Sequence, residues 1–97
     1  MMHKESETIE FKKSTVELKE AVVAIVAMLN KHGQGEVYFG ISDDGKVAGQ
    51  DIGRMTIKDV TQAVVDNIEP KIYPKVETRQ IEGRDCIGIE AHGINSP

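Results

Sequence analysis

Gly33-Gln34-Gly35-Glu36-Val37-Tyr38-Phe39-Gly40-Ile41-Ser42-Asp43-Asp44-Gly45-Lys46-Val47-Ala48-Gly49 is the stretch whose reading decides the fold. Val37, Tyr38, Phe39 and Ile41 suit a pleated, buried surface, so a strand is predicted here. Gly33 and Gly35 bracket its start. Gly40 lies inside it, where a missing side chain lets another segment approach the backbone closely. Ser42-Asp43-Asp44-Gly45 carries turn chemistry, because Asp bonds its own backbone and Gly accepts positive φ. The expected unit is one buried strand, a tight acidic turn and a short return strand. Such a unit is either a plain hairpin or a functional edge that delivers two carboxylates to its tip.

Before this stretch, Thr8 to Lys12 alternates, with Ile9 and Phe11 on one face and Thr8, Glu10 and Lys12 on the other. That pattern predicts a half-buried first strand. Ser14 and Glu17 have capping-box spacing, so a helix is expected from near Thr15. Glu17 and Glu20 sit at its positive end and Lys31 and His32 at its negative end. The apolar run Ala21 to Leu29 lies between them, and Gly33 is the natural residue just past the helix.

After the stretch, Thr56 with Asp59 marks the start of a second helix. Ile57, Val60, Val64 and Ile68 recur at helical spacing and give it one apolar stripe. Pro70 and Pro74 end it and hold Lys71-Ile72-Tyr73 extended. Lys75 to Ile81 and Cys86 to Ala91 read as two strands around Glu82-Gly83-Arg84-Asp85. The order β-α-β-β-α-β-β predicts an α+β fold, one mixed sheet with two helices packed on it. His92 to Pro97 is loop-like. The chain is therefore expected to be a fragment of something longer.

Ninety-seven residues fit one domain with a modest core. The formal charge is −4 at pH 7, so no global basic field draws in nucleic acid; a local patch must do so. The single cysteine, Cys86, excludes an internal disulfide and suits a reducing compartment. The polar opening segment carries no secretory signal. The longest apolar run has nine residues, against about 20 for a membrane span. The expectation is a soluble, cytoplasmic chain.

Three groups of residues are candidates for chemistry. Gly33-Gln34-Gly35 matches neither common phosphate-binding glycine pattern, and it sits at the helix end that repels anions. Its structural reading is a cap and a turn. The acids Glu5, Glu10, Asp43 and Asp44 would converge if the first two strands were neighbours. Carboxylates around Mg²⁺ or Mn²⁺ suit phosphodiester hydrolysis, since hard oxygen ligands bind the ion and the ion activates water. Glu5 and Glu10 are five apart, so a continuous strand would put them on opposite faces; Glu5 must precede the strand, or a bulge must intervene. Solvated surface acids are the competing reading. The cations Lys12, Lys13, Lys71, Lys75, Arg79 and Arg84 could fold into a stripe that tracks phosphates, or simply balance sixteen acids. Tyr38 and Tyr73 could stack bases. Cys86 reads as a small buried hydrophobe.

The segment Glu5-Ser6-Glu7-Thr8-Ile9-Glu10-Phe11-Lys12 resembles the opening E-S-x-x-x-E-F-K signature of the Schlafen AlbA_2 domain family. Asn30, the glycines at 33 and 35, the apolar strand, Gly40-Ile41-Ser42-Asp43-Asp44-Gly45 and Val47-Ala48-Gly49 continue the likeness. Ile68-Glu69-Pro70 matches its I-x-P. Gln34 departs from the family, whose two glycines are usually adjacent. The resemblance implies a DNA-binding, ATP-binding, transcriptional-regulator or helicase-related role, of the divergent AAA-4 kind, at the N-terminus of a longer chain, and an N-terminal fragment that lacks the family's final strand. Animal Schlafen proteins cut tRNA and rRNA with a metal-bound triad, whose residues match Glu5, Glu10 and Asp43.

The reading expected from these observations is a nucleic-acid-binding domain, DNA or RNA, held by sequence-tolerant phosphate contacts. Its alternatives are a metal-dependent endoribonuclease using Glu5, Glu10 and Asp43, and an ATP-binding or structural module that forms a homodimer. No membrane partner is expected.

Overall fold

The central stretch opens with a six-residue strand, β2 (Gln34–Phe39), which lies inside a four-stranded sheet. The computed structural model describes residues 3–69 and 72–93. The other elements are β1 (Ile9–Lys12), α1 (Leu18–His32) with a 3-10 turn before it (Thr15–Glu17), α2 (Thr56–Asp66), β3 (Lys75–Ile81) and β4 (Arg84–His92). The sheet order is β1-β2-β4-β3. β1 and β2 are parallel, and α1 supplies the crossover that parallel neighbours require. The remaining pairs are antiparallel, so the α+β class with a mixed sheet holds.

The return strand expected after the acidic turn is a single bridge between Ile41 and Val47. Ala48 and Gly49 both donate to the Gly40 carbonyl at 2.9 Å. The chain thus curls back over Gly40 instead of running along β2. Gly40 permits this. Its φ is +104°, and a Cβ there would lie 3.2 Å from the Gly49 backbone and 3.0 Å from the Cys86 sulfur. Gly35 serves packing instead. A Cβ there would meet the Met28 Cβ at 2.7 Å, so its absence lets α1 lie close on the sheet.

The start of the first helix is a shifted capping box. Ser14 Oγ accepts from the Val16 N–H at 3.2 Å, and Glu17 reaches back to the Lys13 N–H at 2.9 Å. Gly33 closes α1 in the left-handed region, φ +76°, with its N–H on the Leu29 carbonyl. Thr56 accepts from the Gly53 N–H, so it orders the turn ahead of α2 rather than capping the helix end. Glu82 and Gly83 both have positive φ, the signature of the two-residue turns that match strand twist, and they join β3 to β4. α2 ends at Asp66, before Ile68 and short of the break expected at Pro70; Pro70 and Lys71 themselves lie outside the described residues, as does the end of the chain beyond Gly93.

Register sorts the sheet into two faces. One face carries Val37 and Phe39 of β2 with Ile87, Ile89 and Ala91 of β4. Both helices cover it, through Ala21, Val22, Ile25 and Met28 of α1 and Val60 and Val64 of α2. Ile89 is fully buried there, so Ile89→Ala is expected to cost about 2–5 kcal/mol, read from the urea midpoint. The opposite face has no helix over it among the described residues. Its smaller cluster joins Phe11, Ile41 and Cys86. Burial pushes the Cys86 thiol pKa up, with Asp85 adding to the effect, which keeps it a protonated, small apolar filler. No helix among the described residues is long and apolar enough to cross a membrane.

Candidate functional site

The parallel pair β1 and β2 ends at a rim where several loops meet. The Lys12 carbonyl accepts the Gly40 N–H at 2.8 Å, Gly40 touches Gly49, and Gly49 lies against Arg84 at the start of β4. Gln50 ties the helix start to this rim. Its side-chain oxygen accepts the Thr15 N–H at 2.9 Å, and its side-chain amide donates to the Asp51 carbonyl at 3.0 Å. The Gln50 backbone N–H donates in turn to the Asp85 carbonyl at 2.8 Å. A close backbone approach at two glycines therefore sets Lys12, Lys13 and Arg84 along one end of the sheet.

The opening segment reaches the same end. The His3 backbone packs on Gly45, where a Cβ would overlap the His3 carbonyl oxygen, and His3 Nε2 lies 3.1 Å from Glu82. The signature acids nevertheless go separate ways. Glu5 precedes β1, as the spacing required, and its carboxylate accepts the Phe11 N–H at 2.8 Å. Glu10 pairs with Lys12 at 3.4 Å. Asp43 is exposed at the acidic turn. Beside it, the Ser42 hydroxyl and then the Lys46 N–H hold the Asp44 carboxyl below its ordinary range. Among the described residues no three His, Cys, Asp or Glu side chains are grouped to hold a metal ion. The opening segment and the acidic turn meet, while Glu5 and Glu10 are each engaged locally.

The expected cations also divide. Lys13 and Arg84 are exposed at the rim, and Lys12 beside them is tied to Glu10. Lys75 and Arg79 belong to the open sheet face, and both pair with Glu77, at 3.6 and 3.0 Å. Arg79 also pairs with Glu90 and lies over the Tyr38 ring, 5.7 Å from its centroid. Lys71 lies outside the described residues.

Tyr38 is the residue around which the open face is built. Phe11, its partner across β1 and β2, meets it edge-on at 6.5 Å. Gly88, its partner on β4, leaves room for both Tyr38 and Arg79. The phenol donates to Glu36, and Arg79 donates to the phenol at 3.5 Å. Burial, followed by the Glu36 contact, pushes the phenol pKa up to about 12. Below pH 10 the phenol is protonated whether folded or not. Between 10 and about 12 only the unfolded chain loses the proton, so this contribution to stability falls as pH rises through that window. In Tyr73→Phe protein the tyrosinate absorbance should rise near pH 12; a midpoint at 10 would contradict the burial. Sequence reading singles out Tyr38 for stacking but pairs it with Tyr73, which is 83% exposed in a connector. The alternation of Glu77, Arg79 and Ile81 on a strand beside Gly88 is the signal that could have found its true neighbour.

The sequence profile described as "Schlafen, AlbA_2" matches residues 5–96. The chain belongs to this family. The AlbA_2 sequence matches no protein of curated function. Its fold is similar to the crystal structure of the DIP2311 protein from Corynebacterium diphtheriae, with a TM-score of 0.70 and 18% identity over 94% of this chain. That match covers 22% of the other chain, so this domain spans about a fifth of it. A second likeness is to the solution structure of the N-terminal domain of a putative ATP-dependent DNA helicase RecG-related protein from Nitrosomonas europaea. There the TM-score is 0.48 and the identity 16%, over 93% of this chain and 65% of that one.

Proposed function

We propose that this AlbA_2 domain binds nucleic acid through its phosphate backbone, as the N-terminal module of a longer cytoplasmic regulator or helicase-related protein. The observation that carries the reading is the rim, where Lys12, Gly40, Gly49 and Arg84 succeed one another in contact. Lys13 and Arg84 are its exposed cations, and a strand laid along the rim meets both. Lys75 and Arg79 are held by glutamates of the open face, away from this track. Such contacts position a strand without reading its sequence. The nuclease reading is not adopted, because among the described residues no three His, Cys, Asp or Glu side chains are grouped to hold a metal ion. ATP binding has the family resemblance behind it and no phosphate loop. Fluorescence anisotropy with labelled DNA and RNA across a salt series tests the proposal. Binding that weakens log-linearly with salt is expected. No binding even at low salt contradicts it.

A further inference from the structure

The open sheet face holds a groove of about 440 Å³, on the side away from both helices. Phe11, Ile41 and Ile81 give it an apolar lining, and Arg79, Gln80 and Lys4 give it polar atoms. The guanidinium of Arg79 lies over Tyr38, and Glu77 and Glu90 fix it from the sides. That leaves 34% of the Arg79 side chain exposed. A planar cation preset in this way is a stacking surface for another flat ring.

The charge around it narrows the ligand further. Glu36, Glu77 and Glu90 share this face, so a phosphate placed over Arg79 would meet three carboxylates. A flat, uncharged group with polar edges suits the groove better. The groove also adjoins the rim that carries Arg84, since Ile81 in its lining is the cross-strand partner of Arg84. A ligand with its ring in the groove and its anionic backbone on the rim satisfies both.

We infer that the open face takes an unpaired base of a single-stranded nucleic acid, stacked on the Arg79–Tyr38 pair, while the rim holds the neighbouring phosphates. This inference rests on the phosphate-backbone reading and adds to it a place and a preference. In a duplex the bases stay inside the stack and cannot enter the groove, so single strands should bind more tightly than duplexes of equal length.

The test uses Tyr73→Phe protein, in which Tyr38 is the sole tyrosine and the chain has no tryptophan. Three probes are titrated at low salt: a single-stranded oligonucleotide, its duplex, and a sugar–phosphate strand of equal length without bases. The base-bearing strand is expected to quench Tyr38 emission and to bind about 5- to 100-fold more tightly than the abasic one. Arg79→Lys, which keeps the charge and loses the plane, should abolish that preference and leave the salt slope unchanged. Equal binding of the abasic and base-bearing strands without quenching overturns the inference and leaves the phosphate reading standing. No binding of any probe overturns both. Quenching by a free nucleoside monophosphate at the same concentration as the strand would assign the groove to a soluble nucleotide, and overturns the assignment to a strand.

Discussion

Gly40→Val is expected to destabilise the domain by about 2–5 kcal/mol. Two costs combine. A φ of +104° is a region that a β-branched residue avoids, at about 1–2 kcal/mol or more. The new side chain also meets the Gly49 backbone and the Cys86 sulfur, and overpacking of this kind costs about 1–3 kcal/mol. Neither neighbour can easily give way, because Ala48 and Gly49 are both hydrogen-bonded to the Gly40 carbonyl and Cys86 is fully buried. A domain of this size has about 5–15 kcal/mol in total, so the loss is a large share of it. Urea unfolding followed by circular dichroism reads the effect. A midpoint within error of the wild type would show that the loop does not press on Gly40.

The second large effect is on binding. Lys13→Ala with Arg84→Ala is expected to lower the salt slope for duplex DNA by about 1.8, since each phosphate contact contributes about 0.9. Extrapolated from 1 M to 0.1 M salt, each contact carries about an eightfold change, so the pair should weaken binding about sixtyfold. Both side chains are exposed, and stability should change by no more than about 0.5 kcal/mol per site. The loss should be uniform across sequences, because the contacts carry no base information. An unchanged slope in a folded double variant would remove these residues from the interface.

Much of this architecture is legible in local chemistry. The alternation of Ile9 and Phe11, the apolar run of α1, the left-handed Gly33 and the stripe of α2 each follow from a short-range rule, and each element forms, although α1 starts at Leu18 behind a 3-10 turn and α2 ends at Asp66, short of Ile68. Gly40 is readable as a place of close approach, although its neighbours are not. The acidic turn shows where local reading stops. Turn chemistry at Ser42 to Gly45 is correct, but the course of the chain after it is set by the Gly40 carbonyl, which takes the Ala48 and Gly49 N–H groups. The site is less legible for the same reason. Residue types mark Glu5, Glu10 and Asp43 as a set. Glu5 bonds the Phe11 backbone, Glu10 pairs with Lys12 and Asp43 faces solvent, and only tertiary geometry decides that. Lys75 and Arg79 look like members of one basic stripe with Lys13 and Arg84, yet both are paired with Glu77 on the open sheet face.

The place where a nucleic acid touches this domain decides between the rim and the rest of the surface. Amide chemical shifts of isotope-labelled protein, followed while an unlabelled oligonucleotide is added at low salt, measure that position directly. Shifts should concentrate at Lys13 to Thr15, at Gly49 to Asp51 and at Arg84. Shifts confined to the helix layer around Lys19, Val23 and Ala63, or none at saturating oligonucleotide, would contradict it.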